Sequence, residues 1–130
     1  MKACPFLIHN LSYFKYLKNI ISKKTDKILF CDTDLLTTAT YSKLYFNNYC
    51  DPLLDKYSKL NYYDLYLLMD IDIPWVKDDL RDKPNERDIF FNSFKMALEI
   101  NNKNYFTVSG SFQKRKQKAI ELVNNLLNLQ

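Results

Sequence analysis

One glycine, Gly110, serves the whole of this 130-residue chain. Glycine adopts positive φ without steric cost, so turns that need such backbone must fall to Asn or Asp, or be absent. The same scarcity removes a class of ligand cradle. A G-x-x-x-x-G-K-[ST] loop needs two glycines, so no segment of this sequence can wrap a triphosphate in that way. What remains is a set of acidic segments placed after apolar runs, together with an arginine-bearing stretch.

At this length the expectation is one domain, residues 1–130. Hydrophobic content of 47% with charged content of 26% suits a soluble globular chain. The net charge of +4 and pI of about 8.9 are mildly basic and fall short of a nucleic-acid footprint, so no specific nucleic-acid partner is expected. Cys4, Cys31 and Cys50 are odd in number and lack metal-ligand spacing, which fits reduced thiols in the cytoplasm. The stretch from Met1 to Leu11 has one Lys and a very short apolar patch. It reads as neither a signal peptide nor a membrane span, and no membrane partner is expected.

Hydrophobic spacing sets out the elements. Tyr13, Phe14, Leu17, Ile20 and Ile21 predict a first helix, with Asn10 or Ser12 as its cap. Lys27 to Asp32 reads as a buried strand, and the acidic stretch after it opens a helix with Leu36, Ala39, Thr40 and Leu44 inward. Asn47-Asn48 is a turn, and Pro52 to Ser58 is a short helix with Pro in its first turn. Residues 63–69 form the second strand. A helix from about Glu86 to Ile100 turns Phe90, Phe94, Ala97 and Leu98 to one face. Residues 104–108 form the third strand, and Ser109-Gly110-Ser111 leads into a last helix with Ala119, Ile120, Val123, Leu126 and Leu127 inward. Strands alternating with helices predict an α/β fold with a three-stranded parallel sheet (about 27–32, 63–69 and 104–108) covered by helices. Such sheets bind ligands beyond the carboxyl ends of their strands, where Asp32, Asp34, Asp70, Asp72 and Ser109-Gly110-Ser111 all fall.

Each motif has a plain reading beside its chemical one. Asp32 and Asp34 can share Mg²⁺ and hydroxyl activation, or one of them can simply cap the next helix. Arg81 and Arg87, two of only three arginines, suit a phosphate-gripping lid, or a solvated loop laced with local ion pairs. Trp75, the only tryptophan, could stack on a flat cationic ring or serve as an ordinary rim aromatic, and Tyr41 and Tyr45 share that ambiguity. Lys114-Arg115-Lys116-Gln117-Lys118 sets cations against the dipole of a helix start. A nearby phosphate would offset the conflict, most plainly at Arg115; a solvated face is the alternative.

Taken in order, several stretches resemble the ribosylnicotinamide kinase domain of the NadR family, within the P-loop NTPases. They are Phe30 to Thr38 with Tyr41-Ser42, Tyr63 to Leu68, Asp70 to Val76, Asp79-Leu80-Arg81-Asp82, Pro84 with Arg87, and Val108-Ser109-Gly110-Ser111 with Arg115. The resemblance runs from about residue 11 to the end. It implies an enzyme that phosphorylates nicotinamide riboside with ATP and Mg²⁺ to give nicotinamide mononucleotide for NAD synthesis. By that likeness Asp32 and Asp34 are catalytic, with Asp32 also on the metal. Thr37, Tyr41, Tyr45, Asp72 and Trp75 meet the nucleoside. Arg81, Arg87, Ser109, Gly110, Ser111 and Arg115 meet the nucleotide and its phosphates. The family's phosphate loop precedes the matched region. The resemblance therefore implies an incomplete three-layer P-loop sheet, a truncated domain inactive by itself, and a separate chain that could bring the loop. A kinase fragment for another nucleoside, or a non-catalytic binding module, are the alternatives.

Overall fold

The computed structural model describes residues 28–60, 62–76 and 84–128. The chain divides into two compact units, Met1–Asn61 and Tyr62–Gln130. The expected helix over Tyr13 to Ile21 lies outside the described residues.

In the first unit, α1 spans Leu35–Tyr45 and α2 spans Pro52–Leu60. Asp34 has extended backbone and caps α1, its Oδ1 accepting from the Thr37 amide at 2.8 Å. The helix ends at Phe46, and Asn47 and Asn48 follow at φ 49° and 66°. Asn is the residue type best suited, after Gly, to that backbone. Asp51 opens α2 by accepting from the Leu53 amide at 2.9 Å, with Pro52 as the first helical residue, where its missing N–H costs nothing. Leu35, Ala39 and Leu54 form the small core of this unit, with Cys50 and Tyr57 packed on it. Lys43 of α1 reaches Asp55 of α2 at 2.7 Å, and Lys59 pairs with the same carboxylate. Those two cations hold the Asp55 carboxyl below its ordinary range.

The second unit is built on two strands, β1 (Tyr66–Met69) and β2 (Tyr105–Val108). They pair in parallel, Tyr66 opposite Tyr105 through Met69 opposite Val108. The ladder is extended at both ends, by the Tyr66 amide on the Asn104 carbonyl at 2.9 Å and the Asp70 amide on the Val108 carbonyl at 3.0 Å. A 3₁₀ turn at Pro84–Glu86 and α3 (Arg87–Ile100) make the crossover that parallel pairing requires. Asn102, at φ 51°, turns the chain out of α3, again in place of a glycine. Then α4 (Phe112–Asn128) follows β2. Val108 is fully buried and Leu98 is 6% exposed, but no residue of α4 is buried.

The parallel α/β character is as the sequence predicts, yet among the described residues two strands form rather than three. Residues 28–32 are irregular, and Ile28, Leu29 and Phe30 are 44%, 36% and 72% exposed. A strand exists by exchanging backbone hydrogen bonds with a neighbour, and among the described residues this segment has none. β-propensity alone cannot supply that ladder. The second strand also begins later than expected, at Tyr66 rather than residue 63.

Candidate functional site

Two clusters collect most of the residues singled out in the sequence, one in each unit. In the first, Asp32, Thr33 and Asp34 form the turn that enters α1. Thr33 sits at φ 69°, left-handed backbone that is unusual for a β-branched side chain. Strain of this kind costs about 1–3 kcal/mol and gathers at functional sites. The turn throws the two neighbouring carboxylates into different settings. Asp34 is 7% exposed, and its Oδ1 also accepts from the Thr37 hydroxyl at 2.8 Å. Asp32 is exposed, with the Thr33 hydroxyl reaching its Oδ1 at 3.5 Å. Capping, the plain reading of the pair, therefore belongs to Asp34, and Thr37 is its partner. One helical turn on, Tyr41 and Tyr45 stack with ring centroids 6.2 Å apart and planes 29° apart. Both rings are about two-fifths exposed, at 41% and 42%.

No group of three or more His, Cys, Asp or Glu side chains is arranged for a metal among the described residues. Mg²⁺ does not demand one. It keeps several waters and takes one or two carboxylates plus substrate phosphates. An exposed carboxylate at the mouth of a helix, as Asp32 is, suits that donor set.

The second cluster lies beyond the carboxyl ends of β1 and β2. The Ser109 hydroxyl donates to Asp70 Oδ2 at 2.7 Å, and the Ile71 amide donates to Asp70 Oδ1 at 2.7 Å. These two bonds, with Arg115 nearby, hold the Asp70 carboxyl below its usual range. The Gly110 amide donates to Asp72 Oδ2 at 2.6 Å. Gly110 itself stands at φ 94°, and a Cβ there would meet Lys114 Cδ at 3.1 Å. The one glycine is thus spent where the chain turns from β2 into α4. Ser111, exposed, accepts from the Lys114 amide at 3.4 Å as α4 begins.

Arg87 and Arg115 are both half-buried. Arg87 donates to the carbonyls of Ile71 and Ile73, at 2.9 and 2.7 Å. Arg115 donates to the carbonyls of Gly110 and Asp70, at 2.7 and 3.0 Å, and pairs with the Asp72 carboxylate. The dipole conflict at the start of α4 is relieved at Arg115 by carbonyls and a carboxylate. Trp75 is half-buried at the end of the same segment. Arg81 lies outside the described residues.

Three features of these clusters went unread in the sequence. Asp70 was visible as a strand-end acid, but its hydroxyl partner is 39 residues away. The left-handed backbone at Thr33 has no sequence signal, since local preference opposes it. The carbonyl targets of the arginines depend on strand pairing and leave no local trace. No helix among the described residues is long and apolar enough to cross a membrane.

Comparison with known proteins adds the lineage. A family model described as an AAA domain matches residues 8–115. The chain is similar to the trifunctional NAD biosynthesis/regulator protein NadR of Escherichia coli (strain K12), 31% identical over 114 residues, or 83% of this chain and 27% of that protein. It is 30% identical to the protein of the same name from Salmonella typhimurium (strain LT2), over the same shares of each. It spans about a quarter of the length of these curated relatives.

Proposed function

Because the chain belongs to the AAA-domain family, as a P-loop kinase domain of the NadR type, we propose that it is the C-terminal, nucleoside-facing part of a nicotinamide riboside kinase-like phosphotransferase. The proposed reaction moves the γ-phosphoryl group of ATP to the ribose hydroxyl of nicotinamide riboside, in the cytoplasm. The hydroxyl oxygen bonds to the γ-phosphorus, the bond from that phosphorus to the ADP oxygen breaks, and the hydroxyl proton passes to a carboxylate. The observation that carries this reading is the strained Asp32-Thr33-Asp34 turn at the entry to α1, in a chain matched to this family.

In this proposal Asp32 is the carboxylate that meets the hydroxyl and the metal, because it is the exposed one of the pair. Asp34 holds the turn through its bonds to Thr37 and supports the charge of the site. Mg²⁺, when bound, would supply charge neutralisation across the phosphates. The Tyr41–Tyr45 stack would offer a flat ring a surface within the first unit, while for Asp72 and Trp75 a nucleoside contact is proposed from the family likeness alone. Ser109, Gly110 and Ser111 would border the adenine. Stacking surfaces accept any flat ring, so another nucleoside could occupy the same seat.

One observation favours a second reading, a non-catalytic binding module: with a single glycine, this sequence contains no phosphate loop. The kinase reading requires that loop from a segment outside these 130 residues, on the same or a separate chain. The test is ATP-dependent phosphorylation of nicotinamide riboside by the chain alone and by the chain co-expressed with a family segment bearing the Gly-rich loop. No turnover alone, turnover when completed, and a loss of about 100-fold or more in D32N are expected. Robust turnover by the chain alone would overturn the proposed inactivity. Undiminished turnover in the completed D32N protein would remove Asp32 from the chemistry, and binding of the mononucleotide product with no turnover in any form would favour the second reading.

A further inference from the structure

The backbone between β1 and Trp75 is gripped by guanidinium groups along most of its length. Three of its carbonyls are held: Asp70 by Arg115, and Ile71 and Ile73 by Arg87. Arg87 is the first residue of α3 and Arg115 lies in the first turn of α4, so the two grips come from different helices. Both cations stand at the positive end of a helix dipole, an unfavourable place unless nearby acceptors offset it. Arg115 adds the Asp72 carboxylate and the Gly110 carbonyl, tying this segment to the turn after β2. It does so with two different nitrogens, Nε and Nη2, a geometry that a planar fork provides and an ammonium does not. Beyond the last held carbonyl comes Pro74, whose ring locks φ and restricts Ile73 as well. Little torsional freedom separates the Ile73 carbonyl from Trp75.

We propose that Arg87 and Arg115 are positioning residues that hold the Asp70–Ile73 backbone and thereby set Trp75, rather than groups that grip phosphate. The inference rests on the kinase reading only for what Trp75 touches; the positioning stands on these bonds alone. It differs from the roles that the resemblance implies for these two residues. At position 115, where two nitrogens are used, it also explains why arginine stands there in a chain otherwise rich in lysine.

Trp75 is the only tryptophan, so the fluorescence of the intact 130-residue chain reports on this segment directly. Acrylamide quenching and steady-state anisotropy are measured for wild type, R87M, R115M and R115K, with K116M as the control on an exposed neighbour. Circular dichroism checks the fold of each. Quenching is expected to rise about twofold in R87M and R115M as the segment loosens, with K116M unchanged. R115K, which keeps the charge but cannot use two nitrogens in a fork, is expected to lie with R115M. Wild-type quenching and anisotropy in folded R87M and R115M would overturn the proposal. If the methionine variants do not fold, wild-type behaviour in R115K overturns it equally. In the completed kinase, R87M is expected to raise KM for the nucleoside and leave KM for ATP unchanged; a raised KM for ATP alone would mean that phosphate contact is the role. Failure of the kinase reading would leave the fluorescence result intact, so the two can fail separately.

Discussion

Asp70 receives one hydroxyl, from Ser109, and one amide, from Ile71, and both bonds favour its ionised form. Its carboxyl is held below the ordinary value, so the unfolded chain binds protons more readily at this position than the folded one. The stabilisation is fully present above the unfolded value of about 3.9 and is lost as pH falls through the folded value. S109A removes the larger cause. The variant should therefore be less stable than wild type at pH 7, with the difference closing below about pH 4. Urea denaturation at a series of pH values measures this, and a difference that stays constant with pH would mean Ser109 acts by packing alone. Gly110 next to it shows the other residue-level constraint: at φ 94° the position admits a side chain only with strain.

At the scale of the element, α1 depends on what happens just before it. Asp34 satisfies the Thr37 amide and hydroxyl, while Thr38 and Thr40 turn their hydroxyls back onto the carbonyls of Asp34 and Leu36. Three threonines in the first half of a helix are poor helix formers, which makes the cap matter more. D34A should cost about 1 kcal/mol, whereas D34N, an equally good cap, should stay within a few tenths. Chemical denaturation of the two variants separates them. The same D34N variant, in the completed kinase, tells whether the negative charge matters beyond the cap. The crossover α3 is governed differently, since Glu86 provides no side-chain cap to its amides, and Arg87 at its first position faces the β1 exit instead.

For the whole molecule, the buried apolar residues among those described are Leu35, Leu36, Ala39, Leu54, Leu98 and Val108. Against them stand many large apolar side chains on the surface, with Phe30, Phe112, Ile100 and Val76 each about two-thirds exposed or more. Two paired strands are marginal without a third strand or a packed helix, and α4 buries no residue fully. The core that the described residues form is small, and by itself it supports little stability. The expectation is a low, broad thermal transition for the chain alone. Co-expression with the family's loop-bearing segment should raise the melting temperature, by about 2–8 °C for each kcal/mol gained. An unchanged transition would count against complementation.

Short-range rules were enough for much of this. The Asn turns at 47–48 and 102, Pro52 at the head of its helix and the Asp34 cap all follow from preferences of single residues for particular backbone. The helical stripes and the parallel βαβ order follow from hydrophobic period, and the family from an ordered set of motifs. Tertiary structure decided the rest. Whether residues 28–32 become a strand depends on a partner for their backbone, which no local pattern encodes. The work of Arg87 and Arg115 likewise depends on carbonyls brought near by pairing of β1 with β2, 16 and 45 residues away along the chain. A sequence states which groups can donate; only the folded backbone determines which acceptors come within 3 Å of them.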